Sequence, residues 1–151
     1  MLLVPACPLG TDIRRAGLHA AVDIPPGTPV WRFTPGVDID FAAAPALHDT
    51  AALRERLLHY GYLDGALGCY ILCGDDARHI RASNTPSLHM SYQQHGIHGV
   101  VGVAIAKRHV AAGTALTLDY RAIAGAVAEH AVRPSPAPAM RQPRPSAMDA
   151  R

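Results

Sequence analysis

The sequence predicts a small, mostly-β domain of several short strands in small sheets with one helix. Three observations carry this. Turn signals such as Pro25-Pro26-Gly27 and Pro35-Gly36 punctuate short runs of β-branched and aromatic residues. Leucines at helical spacing occur in only one stretch, near residues 50–60. Nothing resembles the regular strand–helix–strand alternation of a parallel α/β protein, and there is no internal repeat. With 151 residues, 49% of them hydrophobic, the chain can form one globular domain with a real core.

Each element follows from local chemistry. Asp23 to Thr28 is a Pro/Gly turn between two strands. Val30, Trp31 and Phe33 favour a strand, which Pro35-Gly36 ends. Thr50 is suited to cap a helix running to about Tyr60, with Leu53, Leu57 and Leu58 at helical spacing and Arg54, Glu55 and Arg56 largely opposite. His59 and Gly61 suit its end. Gly68 to Cys73 reads as a short apolar strand closed by Gly74-Asp75-Asp76, and Ser83-Asn84-Thr85-Pro86 as a loop. Leu88 to Tyr92 and the valine-rich Gly99 to Ala106 are strands. Val110 to Gly113 repeats the turn logic of residues 24–28, and Ala115 to Tyr120 is a last strand.

Beyond Val132, prolines at 134, 136, 138, 143 and 145 block helix and remove donors, so residues 131–151 read as a disordered Pro/Ala/Arg-rich tail behind a domain of residues 1–130. Four arginines and one aspartate give that tail a charge of +3, leaving −1 for residues 1–132. A near-neutral body argues against a nucleic-acid binder. No apolar run approaches the ~18 residues of a membrane span. Met1 to Cys7 lacks a basic start and is too short for a signal peptide, although Cys7 superficially suits a lipoprotein site. Three cysteines without a disulfide framework fit a reducing cytoplasm. Cys69 and Cys73 read as small buried hydrophobes rather than a metal pair, and the nine histidines show no compact ligand spacing, so no metal is expected.

Three segments in a fixed order go further. The first is Arg15-Ala16-Gly17-Leu18-His19-Ala20. The second runs Asp75-Asp76-Ala77-Arg78-His79-Ile80-Arg81-Ala82-Ser83-Asn84-Thr85-Pro86-Ser87. The third is Gly113-Thr114-Ala115-Leu116-Thr117-Leu118-Asp119-Tyr120. Together they resemble a SET domain, the β-clip fold of the protein-lysine methyltransferases, in its small stand-alone bacterial form. The resemblance spans about residues 9–121. It departs from the family pattern at several positions. Arg15 stands for the first glycine of a GxG turn, and His19 for a phenylalanine. Arg81-Ala82 stands for Asn-His, and Ser87 for the last asparagine of the central motif.

The resemblance implies a pseudoknot-like C-terminal segment and methyl transfer from S-adenosyl-L-methionine to the ε-amine of a lysine on a protein substrate. Tyr120 would be catalytic, its hydroxyl orienting the amine. Residues Arg15, Ala16, Gly17 and Leu18, with Arg81, Ala82 and Ser83, would cradle the cofactor, and Arg81 could alternatively fork its carboxylate. Tyr70 would line the lysine channel, with Tyr60 and Tyr92 as further candidates. Trp31 would either cover the cofactor or belong to the core. The altered motif residues open a second reading, a catalytically degenerate SET domain serving as a binding or scaffold module. An unrelated β protein with a basic tail is a third.

Overall fold

In the computed structural model, residues 1–10, 12, 16–42 and 51–126 are described. The tail from residue 131, Arg15 and the capping Thr50 lie outside them. The elements in order are β1 (Ala6–Leu9), β2 (Gly17–Ala20), β3 (Pro29–Arg32), β4 (Ile39–Ala42), α1 (Ala51–Tyr60), β5 (Gly61–Asp64), β6 (Cys69–Leu72), β7 (Arg81–Ala82), β8 (Leu88–Gln94), β9 (Val100–Ala106), β10 (Thr117–Leu118) and α2 (Tyr120–Gly125). Single-turn 3-10 helices occupy Asp76–His79 and Gly96–His98. Among the described residues no helix is long and apolar enough to cross a membrane.

The strands form small sheets, so the fold is mostly β as the turn spacing predicts. Strands β1 and β2 pair antiparallel, and β8 and β9 form a hairpin that β3 extends into a three-stranded sheet. A second three-stranded sheet has the order β4-β6-β5. The two Pro/Gly turns meet through reciprocal backbone bonds between Ile24 and Val110 (2.8 and 2.9 Å). The main core contains Leu18, Ile24, Val30, Trp31, Leu88 and Leu116 at 2% exposure or less. Trp31 is therefore a core side chain.

Sheet β4-β6-β5 has two differently employed faces. Side chains alternate along a strand, and residues directly opposite one another share a face. The register pairs Tyr62 with Ile71 and Leu63 with Tyr70. Ile71, Tyr62 and Cys69 join the main core, whereas Leu72 and Phe41 pack with Leu57 and Tyr60 of α1. Leu57 anchors α1 to this face, while Leu58 is 75% exposed.

The C-terminal passage is held from two sides. On one side Leu116 N–H donates to the Leu18 carbonyl (2.8 Å) and Ala20 N–H to that of Thr114 (3.0 Å). On the other, β10 lies parallel to β7, pairing Thr117 with Arg81 and Leu118 with Ala82. Ser87, the motif residue that replaces asparagine, is buried at this crossing. Its Oγ accepts Thr117 N–H (3.0 Å), and its own N–H donates to Thr117 Oγ1 (2.9 Å).

Two elements depart from the sequence-based expectation. Strand β5 follows α1 directly, where the sequence gives no separate strand signal. The expected strand Ala115 to Tyr120 is a regular strand only over Thr117–Leu118, with an isolated bridge from Ala115 to His19 before it, and it ends where the Asp119 carboxylate accepts the N–H groups of Arg121 and Ala122 (both 3.1 Å) and starts α2. Tyr120 is the first residue of that helix rather than a strand end.

Candidate functional site

The Tyr120 side chain turns inward from the start of α2. Its hydroxyl donates to the Ile80 carbonyl (2.9 Å), immediately before the Arg81-Ala82-Ser83 segment. Its ring lies 5.3 Å from that of Tyr62, the planes tilted by 48°. Burial, and secondarily the nearby Cys73, holds the Tyr120 phenol well above its ordinary range. Burial does the same for Tyr62, with Cys73, Asp64 and Tyr120 adding to it. Both phenols therefore stay protonated near neutral pH. They can donate hydrogen bonds and orient a lone pair, but neither is a base.

Close backbone packing seats α2 against β5. Gly65 N–H donates to the Ile123 carbonyl (3.1 Å). A Cβ at Gly65 would stand 2.4 and 2.5 Å from the carbonyl oxygens of Ala124 and Ala126. Only glycine admits that approach, which fixes the helix that carries Tyr120 beside the strand that carries Tyr62.

Beside the phenols lies a buried carboxylate. Asp64 is fully buried on the same face of β5 as Tyr62, and its Oδ1 accepts the Tyr92 hydroxyl (2.9 Å) and Leu67 N–H (3.1 Å). Its Oδ2 has no hydrogen-bond partner among the described residues. Burial raises the Asp64 carboxyl, although the Tyr92 and Leu67 bonds hold part of that rise back. Burial and the adjacent Asp64 in turn raise the Tyr92 hydroxyl. Cys69, on the same face, is pushed up to about 12 by burial and the neighbouring Asp40 and Asp64. Burial first, then Asp38, raises the Cys73 thiol further. Neither thiol is a nucleophile at neutral pH. Among the described residues no group of three or more side chains is placed to hold a metal ion.

The residues singled out from the sequence fall into three places. Tyr120 and the Arg81-Ala82-Ser83 segment adjoin at Ile80. Ser83 N–H donates to the Leu118 carbonyl (2.9 Å), and the Ser83 hydroxyl accepts Thr85 N–H (3.1 Å), so that side chain serves its own loop. Ala16 and Leu18 are buried, Leu18 fully and within the core. Gly17 touches Arg81: a Cβ there would meet Arg81 Cδ at 3.1 Å and His19 Cε1 at 3.3 Å. Tyr70 is not brought to Tyr120, because its register places it on the α1 face of the sheet. Tyr60 also belongs to the α1 side, where Arg78 Cζ lies 5.9 Å from its ring centroid. The phenol beside Tyr120 is Tyr62, which the sequence reading did not single out. Alternation along Cys69 to Cys73 separates Tyr70 from Ile71, but only the β5–β6 register shows that Tyr62 shares the face of Ile71.

The cofactor implied by the resemblance does not fit this arrangement as it stands. The exposed surface that Gly17 would offer it is covered by the aliphatic stem of Arg81 and the ring of His19, whose Nδ1 lies 2.8 Å from the Gly17 carbonyl oxygen. Ala82 brings no polar atom beyond its backbone.

No family model matches the chain, and no curated protein does. The fold is similar to the crystal structure of a candidate histone methyltransferase of Plasmodium falciparum, with a TM-score of 0.54 and 9% sequence identity. The match covers 79% of this chain and 95% of that one. At that identity the likeness is one of fold alone.

Proposed function

We propose that this chain is a cytoplasmic, S-adenosyl-L-methionine-dependent protein-lysine N-methyltransferase. The observation that carries the reading is the pair Tyr62 and Tyr120, two half-buried, protonated phenols packed on each other and against the core, with Tyr120 bonded to Ile80 just before β7. Methyl transfer to an amine requires a neutral nitrogen, because an ammonium has no lone pair. An apolar, water-poor site favours the neutral amine by desolvation, and the Tyr120 hydroxyl oxygen, fixed by its own bond to the Ile80 carbonyl, can accept an amine N–H and so leave the lone pair free and in line. The cofactor supplies an already activated methyl group. The chain's own contribution is orientation of the amine by Tyr120, packing by Tyr62 and exclusion of water. Arg15, Ala16, Gly17, Arg81, Ala82 and Ser83 stay the candidate cofactor contacts through their backbone, while Leu18, fully buried with its carbonyl bonded to Leu116 N–H, supports them from the core. The substrate class is a protein presenting a lysine, and the fold neighbour recommends basic, histone-like proteins for the first trial.

The test is transfer of labelled methyl from S-adenosylmethionine to lysine in a panel of basic proteins, with Tyr120→Phe as control. Incorporation that collapses in the variant supports the reading. Absence of incorporation across the panel, together with no binding of S-adenosylhomocysteine by either the wild type or an Arg81→Ala variant, refutes it. A second reading, a degenerate module that binds proteins without turnover, is favoured by the Arg81 and His19 contacts over Gly17.

A further inference from the structure

We infer that Arg81 is a removable plug: its stem occupies the ligand surface of Gly17, and a cofactor must displace it to enter. This rests on the methyl-transfer reading. Glycine offers a ligand a bare patch of backbone, yet Gly17 is buried in this chain. Part of what buries it is Arg81, with Cδ at 3.1 Å and Cγ at 3.6 Å from the position of a Gly17 Cβ.

The backbones on both sides are fixed. Gly17 pairs with Leu9 in the β1–β2 ladder, and Arg81 N–H donates to the Leu116 carbonyl (3.3 Å) beside its pairing with Thr117. His19 is tethered through Nδ1 to the Gly17 carbonyl. The Arg81 side chain is the part free to move. It is exposed overall, and its guanidinium makes no hydrogen bond or ion pair among the described residues. Rotating it away breaks no charge-assisted bond and uncovers only methylenes, a modest barrier rather than an absolute one.

Calorimetric titration of S-adenosylhomocysteine into the full chain and into Arg81→Ala tests this. We expect the variant to bind about tenfold more tightly, the equivalent of two methylenes that no longer need to be uncovered. Equal or weaker binding by the variant overturns the plug. If the wild type binds more tightly than Arg81→Ala, Arg81 is a ligand and the methyltransferase reading stands without a plug. If neither protein binds, both inferences fall.

A second measurement needs no cofactor. Gly17→Ala should lower the melting temperature more in the wild type than in the Arg81→Ala background, because the new methyl group meets Arg81 only in the former. Equal losses in both backgrounds would show that Arg81 does not rest on Gly17 in solution.

Discussion

Replacing Tyr120 by phenylalanine separates a catalytic hydroxyl from a structural one. The ring stays, so the 5.3 Å contact with Tyr62 is kept. What is lost is the hydroxyl and its 2.9 Å bond to the Ile80 carbonyl. A net hydrogen bond contributes ~1 kcal/mol, and a carbonyl with a second lone pair tolerates the loss of one donor better than a buried N–H tolerates the loss of its acceptor. For a domain of this size that corresponds to a fall of roughly 4 °C in melting temperature. Catalytic orientation is worth more: misplacing a reacting group by an ångström costs on the order of 100-fold in rate. The two effects are therefore well separated. Melting by circular dichroism gives the first, and single-turnover methyl transfer at saturating substrate gives the second. A rate loss near 100-fold with a melting shift of only a few degrees is expected. An unchanged rate with the same small melting shift would refute the assignment, leaving Tyr120 as a brace for Ile80.

Three further outcomes follow from the same geometry. Ser87→Ala leaves the half-buried N–H of Thr117 without its 3.0 Å acceptor, which should destabilise the domain by ~1 kcal/mol in urea titration; a loss below the measurement error would mean that the crossing is held by packing alone. Gly65→Ala drives a methyl group into the carbonyls of Ala124 and Ala126, so it should cost ~3 kcal/mol and also depress methyl transfer by displacing the helix that begins at Tyr120. Wild-type stability with Gly65→Ala would contradict the close seat of α2. For Asp64, burial raises the carboxyl above 3.8, so the folded state binds more protons than the unfolded one over the window above that value. Its contribution to stability is then present below the unfolded value and lost as pH rises through the folded one. Asp64→Asn removes that loss, and its melting temperature relative to wild type should climb as pH rises above the ordinary carboxylate value. A pH-independent difference between the two proteins would sink the reasoning.

Much of this molecule was legible without coordinates because its signals are local. Proline and glycine punctuation marks the turns at residues 25–27 and 35–36, and the valine run marks β9. The order of the three motifs suggested a resemblance that the fold likeness supports only at the level of fold. The short β5 and the α2 cap were harder to read. Gly61 to Asp64 carries no turn boundary after α1, and Asp119 becomes a cap only because the chain bends inward there.

The site divides along the same line. Sequence by itself determined which residue types are present: a tyrosine closing the last motif, and an arginine where an asparagine is expected. Tertiary structure decided what they touch. Strand register is a long-range property, and a shift of one residue exchanges the two faces of a sheet. The pairing of Tyr62 with Ile71 therefore put Tyr62 beside Tyr120 and turned Tyr70 toward α1. Likewise, nothing local to Arg81 reveals that its stem covers Gly17, 64 positions earlier in the chain, because β2 and β7 meet through tertiary structure, both bonded to the C-terminal passage.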